Sequence, residues 1–527
     1  MDEHAVSVSL PKWAHVIGYE EGDTAVSSAL ACGYPRFVYH PYICTLMEHA
    51  KEDYSSRCAG EEKDVDCVLM PSLRAANRCR DFVAKACFDT DGGLISPDNC
   101  VDLEDTSSAL DMSTQAHRKV KVLDLQACGI HAVIFPAETG VAIEAKSYWQ
   151  HTGEIVSSRR ASAALISLNI PYENITTKFK LLTCSSFRDP VAVQENGHMC
   201  LHPSVIEDTE PNAHNMHYAH SQVINRISEI TKQPPSNVFL TPSGMQSVHA
   251  GLRLARRWRR QNFRHNPPSS QKGSSIVYGF PYLDTLKMCG RRELSDGVEF
   301  FGFGDERDLQ NLKFMLNSRA KSSGSNDAGV TALITEFPSN PLLNIPDLIE
   351  LRRLADEFNF VLIVDDTLGN FANVDLLDDG VADMICTSLT KIFNGRGDVV
   401  AGSVTISKDS KHGPELVKLM DELHGSNAGD LYKSDAMAIL KNSQTFLQRS
   451  NKINKTAERL ADWFKGRDEI KTVYYPKYSQ RELYDKFVVK ENVEGHKGGF
   501  GGLLAIVLKD HVCEQKFYDA LRVSKVS

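Results

Sequence analysis

In the second half of the chain, apolar residues gather into short continuous runs separated by amphipathic stretches. Residues 237–242 (NVFLTP), 275–280 (SIVYGF), 330–337 (VTALITEF), 360–365 (FVLIVD) and 384–389 (MICTSL) are predicted strands, being short and rich in residues that suit a pleated surface. Behind the first, Met245, Val248, Leu252 and Ala255 recur on one helical face. Leu348, Leu351, Ala355 and Phe358 do the same after Pro346, which marks a helix start. Strands that do not alternate are buried on both faces. The pattern therefore predicts an α/β fold, with a mainly parallel sheet sandwiched by helices.

Two polar breaks, residues 266–275 (NPPSSQKGSS) and 317–329 (NSRAKSSGSNDAG), read as surface loops. Residues 1–190 contain helix-like and strand-like pieces, among them HAVIFP (131–136) and ETGVAIEAKSYW (138–149), but no spacing there specifies chemistry. From about residue 470 the pattern changes, and the Gly-rich stretch GHKGGFGGLLAIVL (495–508) reads as the first strand of a smaller domain. The organisation expected is an N-terminal extension of unknown role (1–190), a large ligand-binding domain (191–470) and the start of a smaller C-terminal domain (471–527).

Composition narrows the classes. With 527 residues, 42% hydrophobic and 24% charged, the chain is globular rather than disordered. Its net charge of −9 disfavours nucleic acid and anionic membrane surfaces as partners. The opening MDEHAVSVSL lacks a basic signal region, and no apolar run approaches the roughly 20 residues that span a bilayer, so the expected location is cytoplasmic. Thirteen cysteines without a CxxC pair read as reduced thiols, and the sequon at Asn174 then carries no weight. His214, His217 and His220 form an HxxHxxH series, but no acid or cysteine completes a tetrahedral set and no metal is expected. The basic run 253–264 (RLARRWRRQNFR) suits the C-terminal end of a helix, where cations oppose the dipole.

Ligands of open α/β sheets bind beyond the carboxyl ends of the strands. There the sequence places Asp365, Asp366 and Thr367 after one strand, Thr390 and Lys391 after the next, and Asn340 after a third. A fourth opens into Ser243-Gly244-Met245 at a helix start, where free amides and the dipole favour a phosphate. A phosphate cradle, a carboxylate and a lysine are what pyridoxal phosphate requires: an amine for its aldehyde and an acid to keep its ring nitrogen protonated. An apolar sheet end would also help Lys391 lose its proton.

The stretches ITEFPSNPLLNIPDL, LIVDDT and TSLTKIFNGRGDVVAGS resemble the Cys/Met metabolism family of pyridoxal-phosphate enzymes, over roughly residues 200–527. IGYEEGD (17–23), GYPRF (33–37) and WQHTGE (149–154) are similar to the long extension of fungal cystathionine γ-synthase-like proteins. The resemblance implies the aspartate aminotransferase-like fold type I, a homodimer or homotetramer, and an amino-acid substrate. It makes Lys391 the Schiff-base lysine and proton shuttle, and Asp365 the partner of the ring nitrogen. Ser388 and Thr390, with Ser243, Gly244 and Met245, would bind phosphate. Tyr278, in YGFPY, would be the ring-stacking aromatic, and Asn340 would lie near the phenolic oxygen. Tyr218, in Tyr218-Ala219-His220, matches a Y-S-R motif that reaches a neighbouring subunit's phosphate, with His220 standing where the family has arginine. Asp366 stands where the family has asparagine, and is read as structural. The last residues match the approach to an S-L-G segment, beyond which family members carry the arginine that binds the substrate carboxylate, so a truncated chain is expected. The implied reaction joins an O-acylhomoserine to cysteine, forming cystathionine. The alternatives are a carbon–sulfur lyase acting on a thioether and an inactive or regulatory paralogue.

Overall fold

The computed structural model describes residues 4–6, 10–28, 30, 33–57, 64–88, 119–171, 213–263, 273–425, 429–491 and 495–522, with side chains from 218 onward in the helix that opens at Ala213. Near the N-terminus, β1 (Val65–Met70), β2 (Lys121–Asp124) and β3 (His131–Pro136) form an antiparallel sheet in the order β1-β3-β2. Helices Leu73–Cys87 and Thr139–Thr152 cover one face, where Val83, Val141 and Trp149 are buried beside Val133 and Phe135. Helices Pro41–Arg57 and Ser158–Ser167 cover the other, burying Leu46 and Leu165 against Ile134.

The larger sheet contains β4 (Val238–Thr241), β5 (Ser274–Tyr278), β6 (Val298–Phe301), β7 (Val330–Glu336), β8 (Val361–Asp365), β9 (Met384–Ser388) and β10 (Gly402–Ile406), in the order β4-β10-β9-β8-β7-β5-β6. From β6 to β9 every neighbour is parallel, and β10 pairs antiparallel with both β9 and β4. Alternate residues serve opposite layers: Ile276, Leu333 and Leu362 pack into one core, and Val277, Ile334 and Ile363 into the other. This explains the unbroken apolar runs, since both pleat faces are covered. Helix Gly244–Asn262 lies along the second face and buries Met245, Val248, Leu252 and Ala255 together, the stripe that the period predicts. Its basic end is anchored rather than solvated: Arg259 is fully buried and pairs with Asp327 at 2.9 Å.

Three expectations are corrected. The predicted loop 317–329 is helical through Ser323, because helix Glu306–Ser323 anchors Leu312 and Leu316 in the core and turns its polar residues to water before stopping at left-handed Gly324. β6 and β10 escaped notice: the first is a half-exposed edge carrying Glu299, and the second opens Gly-Ser and contains Thr405. The C-terminal strand pair consists of β11 (Ile470–Tyr474) and β12 (Ala505–Leu508), so the Gly-rich stretch leads into the second of these strands and is not itself the first. Among the described residues no helix is long and apolar enough to cross a membrane.

Candidate active site

Sheet register brings the strand ends together. Gly402 on β10 faces both Thr241 and Ser388, Asp365 is paired with Cys386, and Glu336 is paired with Asp365. Beyond β4, Ser243 caps helix Gly244–Asn262, its hydroxyl accepting from the Gln246 amide at 3.1 Å and donating to the Gly153 carbonyl at 2.8 Å. The Ser243 side chain is thus committed to the fold, and an anion would meet the first-turn amides of Gly244 and Met245. A β-carbon on Gly244 would fall 2.6 Å from that of Ser388, so glycine is what lets the helix end approach β9 so closely. At this approach the Ser388 hydroxyl is buried with no hydrogen-bond partner.

Asp365 lies one strand away and Glu336 two. Thr367 links the two parts: its amide donates to Asp365 Oδ1 at 2.8 Å, and its hydroxyl accepts from the Ser388 amide at 2.9 Å. Burial pushes the Asp365 carboxyl up, against the hydrogen bonds from Thr367. Glu336, on the adjoining strand end, is pushed up to about 8 by burial and then by Asp365. Its oxygens accept from the amides of Tyr282 at 2.5 Å and Asn340 at 3.1 Å, clamping two loops at the sheet end. Asp366 points elsewhere: it is 1% exposed, accepts from the Phe371 amide at 2.8 Å and is pushed well up by burial, a structural acid.

Lys391 stands in the turn after β9, exposed, with its ammonium 5.0 Å from the centre of the Tyr34 ring. The expected apolar enclosure of the amine is therefore absent among the described residues, because the turn leaves the side chain exposed. Thr390 is also not as expected. Its hydroxyl accepts from the Ala401 amide at 3.1 Å and donates to the Ala401 carbonyl at 3.2 Å, a clasp between the turn and the segment before β10.

Tyr278 is corrected as well. It is 2% exposed, its ring sits in the core layer with Ile276 and Phe337, and its hydroxyl donates to the Asp305 carbonyl at 2.9 Å. Strand parity turns it inward, while Gly279 to Pro281 carry the second tyrosine of YGFPY, Tyr282, past the sheet end. Tyr282 is half-buried beside Glu336, with its hydroxyl accepting from Arg36 at 2.8 Å. Asn340 is exposed next to this clamp. Tyr218 is 59% exposed, and His220 Nε2 lies 3.0 Å from the Leu431 carbonyl within the same subunit. The side chains of His214 and His217, and the sequon at Asn174, lie outside the described residues.

Residues 42–157 match the family described as fungal trans-sulfuration enzyme, N-terminal domain, and residues 316–527 match the Cys/Met metabolism PLP-dependent enzymes. Over 99% of its length the chain is 32% identical to cystathionine gamma-synthase of Neurospora crassa, covering 87% of that protein. This chain belongs to the Cys/Met metabolism PLP-dependent enzymes. Other relatives in this family are cystathionine gamma-synthase-like enzyme iboG1 of Amanita muscaria, 30% identical over 98% of this chain and 86% of that protein, and alanine racemase ungC of Aspergillus violaceofuscus, 27% identical over 99% and 86%. Members of the family use pyridoxal phosphate, and the residues present fit it. The unpartnered Ser388 hydroxyl beside a helix N-terminus suits a phosphate ester, and a strand-end acid short of positive neighbours suits a protonated ring nitrogen.

Neither Tyr282, Glu336, Tyr34 nor Arg36 is singled out by spacing. A signal existed for two of them: Glu336 is the one charged residue in VTALITEF, and YGFPY offers two tyrosines.

Proposed function

We propose that the chain catalyses γ-replacement, joining an O-acylhomoserine to cysteine to give cystathionine. Family membership and the 32% identity to a cystathionine gamma-synthase support the reading. The observation that carries it is the buried, unpartnered Ser388 hydroxyl at the helix end, one strand pairing away from the Asp365 carboxyl and two from that of Glu336.

When bound, pyridoxal phosphate supplies a sink for the electrons released at the substrate's α- and β-carbons. The amides of Gly244 and Met245 and the Ser388 hydroxyl hold its phosphate. Asp365 keeps the proton on its ring nitrogen, and Thr367 holds that carboxylate in place. Lys391 Nζ would anchor the cofactor between turnovers and, once freed, would remove the substrate's α-proton and return it. Glu336 fixes the loops carrying Tyr282 and Asn340, which orients the groups nearest the reacting carbons. The γ C–O bond would break with release of the acyl group as its carboxylate, a C–S bond would form to the cysteine sulfur, and the thiol proton would be released alongside the carboxylate. In this reading the protein is a homodimer or homotetramer, and exposed Tyr218 reaches a neighbouring subunit.

Incubation with O-acetylhomoserine and O-succinylhomoserine, each with cysteine, is expected to yield cystathionine in the wild type and none in Lys391→Ala. Release of ammonia and a keto acid from cystathionine alone would replace this reading with a carbon–sulfur lyase. A wild-type protein with no visible absorbance after loading with pyridoxal phosphate would leave the inactive paralogue.

A further inference from the structure

Besides Gly153, the N-terminal region reaches the site with the turn Tyr34 to Phe37, whose amide–carbonyl contact of 2.8 Å brings Arg36 inward. The Arg36 guanidinium is 2% exposed and engages three partners through its two terminal nitrogens. Nη1 donates to Asp284 Oδ2 at 2.9 Å and to the Gln150 carbonyl at 2.8 Å, and Nη2 donates to the Tyr282 hydroxyl at 2.8 Å. The guanidinium carbon lies 5.4 Å from the ring centres of both Tyr34 and Tyr282. The other end of Tyr282, its backbone amide, is held by Glu336, the strand partner of Asp365. Tyr282 is thus pinned at two points, the core domain holding its main chain and the N-terminal region holding its hydroxyl. Tyr34, two residues before Arg36, faces the Lys391 ammonium at 5.0 Å.

An arginine that only tied two domains together would be satisfied by Asp284 and the Gln150 carbonyl. The third contact falls on the hydroxyl of Tyr282, the residue whose backbone amide Glu336 holds at the sheet end. We infer that Arg36 is a positioning residue of the active site, setting the Tyr282 ring against the cofactor from the N-terminal region. This rests on the proposed cofactor site above and gives the N-terminal region a part in building it. A lysine at position 36 would keep the charge beside Asp284 but has no fork to reach the hydroxyl and the carboxylate together.

The test uses full-length protein freed of cofactor and reloaded, comparing wild type, Arg36→Lys, Tyr282→Phe and the double variant. The readouts are the dissociation constant for pyridoxal phosphate and the induced circular dichroism of the bound cofactor, which reports how rigidly its ring is held among its neighbours. Tyr282→Phe removes one oxygen atom, which keeps the comparison valid should Arg36→Lys fold poorly. Each single variant is expected to weaken binding about tenfold and to diminish the induced band, since both break one charge-assisted hydrogen bond. The double variant should also stay near tenfold, because the two changes remove the same link. Unchanged affinity and induced band in both single variants would overturn the inference while leaving the cofactor site standing. Independent losses multiplying to about a hundredfold would do the same. A wild-type protein lacking any Lys391-dependent band would overturn the cofactor site and this inference together.

Discussion

The two sheets differ most in how their buried polar groups are met. In the N-terminal region Glu154 is 1% exposed, yet it accepts from Arg78, through Nε at 3.0 Å and through Nη2, and from the Tyr148 hydroxyl at 3.0 Å. Burial works against its charge, but Arg78 prevails and holds the carboxyl down at about 2. At the end of the large sheet the Ser388 hydroxyl is buried without a partner, and Glu336 and Asp365 sit side by side as acids that burial pushes up. Burial is common to both places. What separates Glu154 from Ser388 is whether the chain itself supplies the partner, and an unpartnered hydroxyl beside a helix N-terminus suits a ligand.

Four measurements would break or sharpen this contrast. The largest effect is expected at Lys391, where alanine should lower turnover on the order of 10³-fold or more while leaving chemical unfolding within about 0.5 kcal/mol of wild type, because the side chain is exposed. Next, Glu154→Ala should cost roughly 3–5 kcal/mol in denaturant unfolding by stranding the Arg78 charge. A loss below about 1 kcal/mol would show that the N-terminal network is no better met than the sheet end. Ser388→Ala reverses that pattern: it should leave the cofactor-free protein as stable as before and weaken pyridoxal phosphate binding about tenfold, measured by fluorescence titration. The fourth effect concerns pH. Folded Glu336 keeps its proton up to about 8 and the unfolded residue releases it near 4.5, so across that interval the folded state binds more protons and cofactor-free stability falls as pH rises. Glu336→Gln should flatten the decline in thermal midpoint between pH 5 and pH 8. An unchanged slope would place the raised acid elsewhere.

Most of the large sheet was readable because its strands are covered on both faces, and continuous apolar runs such as VLIVD leave little choice of element. The positions of Lys391, Asp365 and Gly244 at the strand ends followed from the same logic, since each stands at or just beyond such a run. Side-chain direction was not readable. Tyr278 and Tyr282 are four residues apart in YGFPY, and only the parity of β5 and the loop beyond it decide which one turns into the core. The duties of Ser243 and Thr390 were hidden for another reason: their hydroxyls are engaged by Gly153 and Ala401, partners whose backbone atoms leave no trace in a side-chain pattern. Arg36 was invisible because its contacts at positions 150, 282 and 284 are distant in sequence.

Gly153 carries a consequence for how the protein can be assembled and altered. It closes helix Thr139–Thr152 with a left-handed φ of 66°, and any β-carbon there would lie 2.2 Å from the Ser243 oxygen. The Gly153 carbonyl and the Ser243 hydroxyl are 90 residues apart in sequence, so this contact forms only when the N-terminal region and the turn after β4 have come together. A catalytic half grafted behind a foreign leader would have to find another acceptor for Ser243, and a family swapping such modules would be held to glycine at this joint.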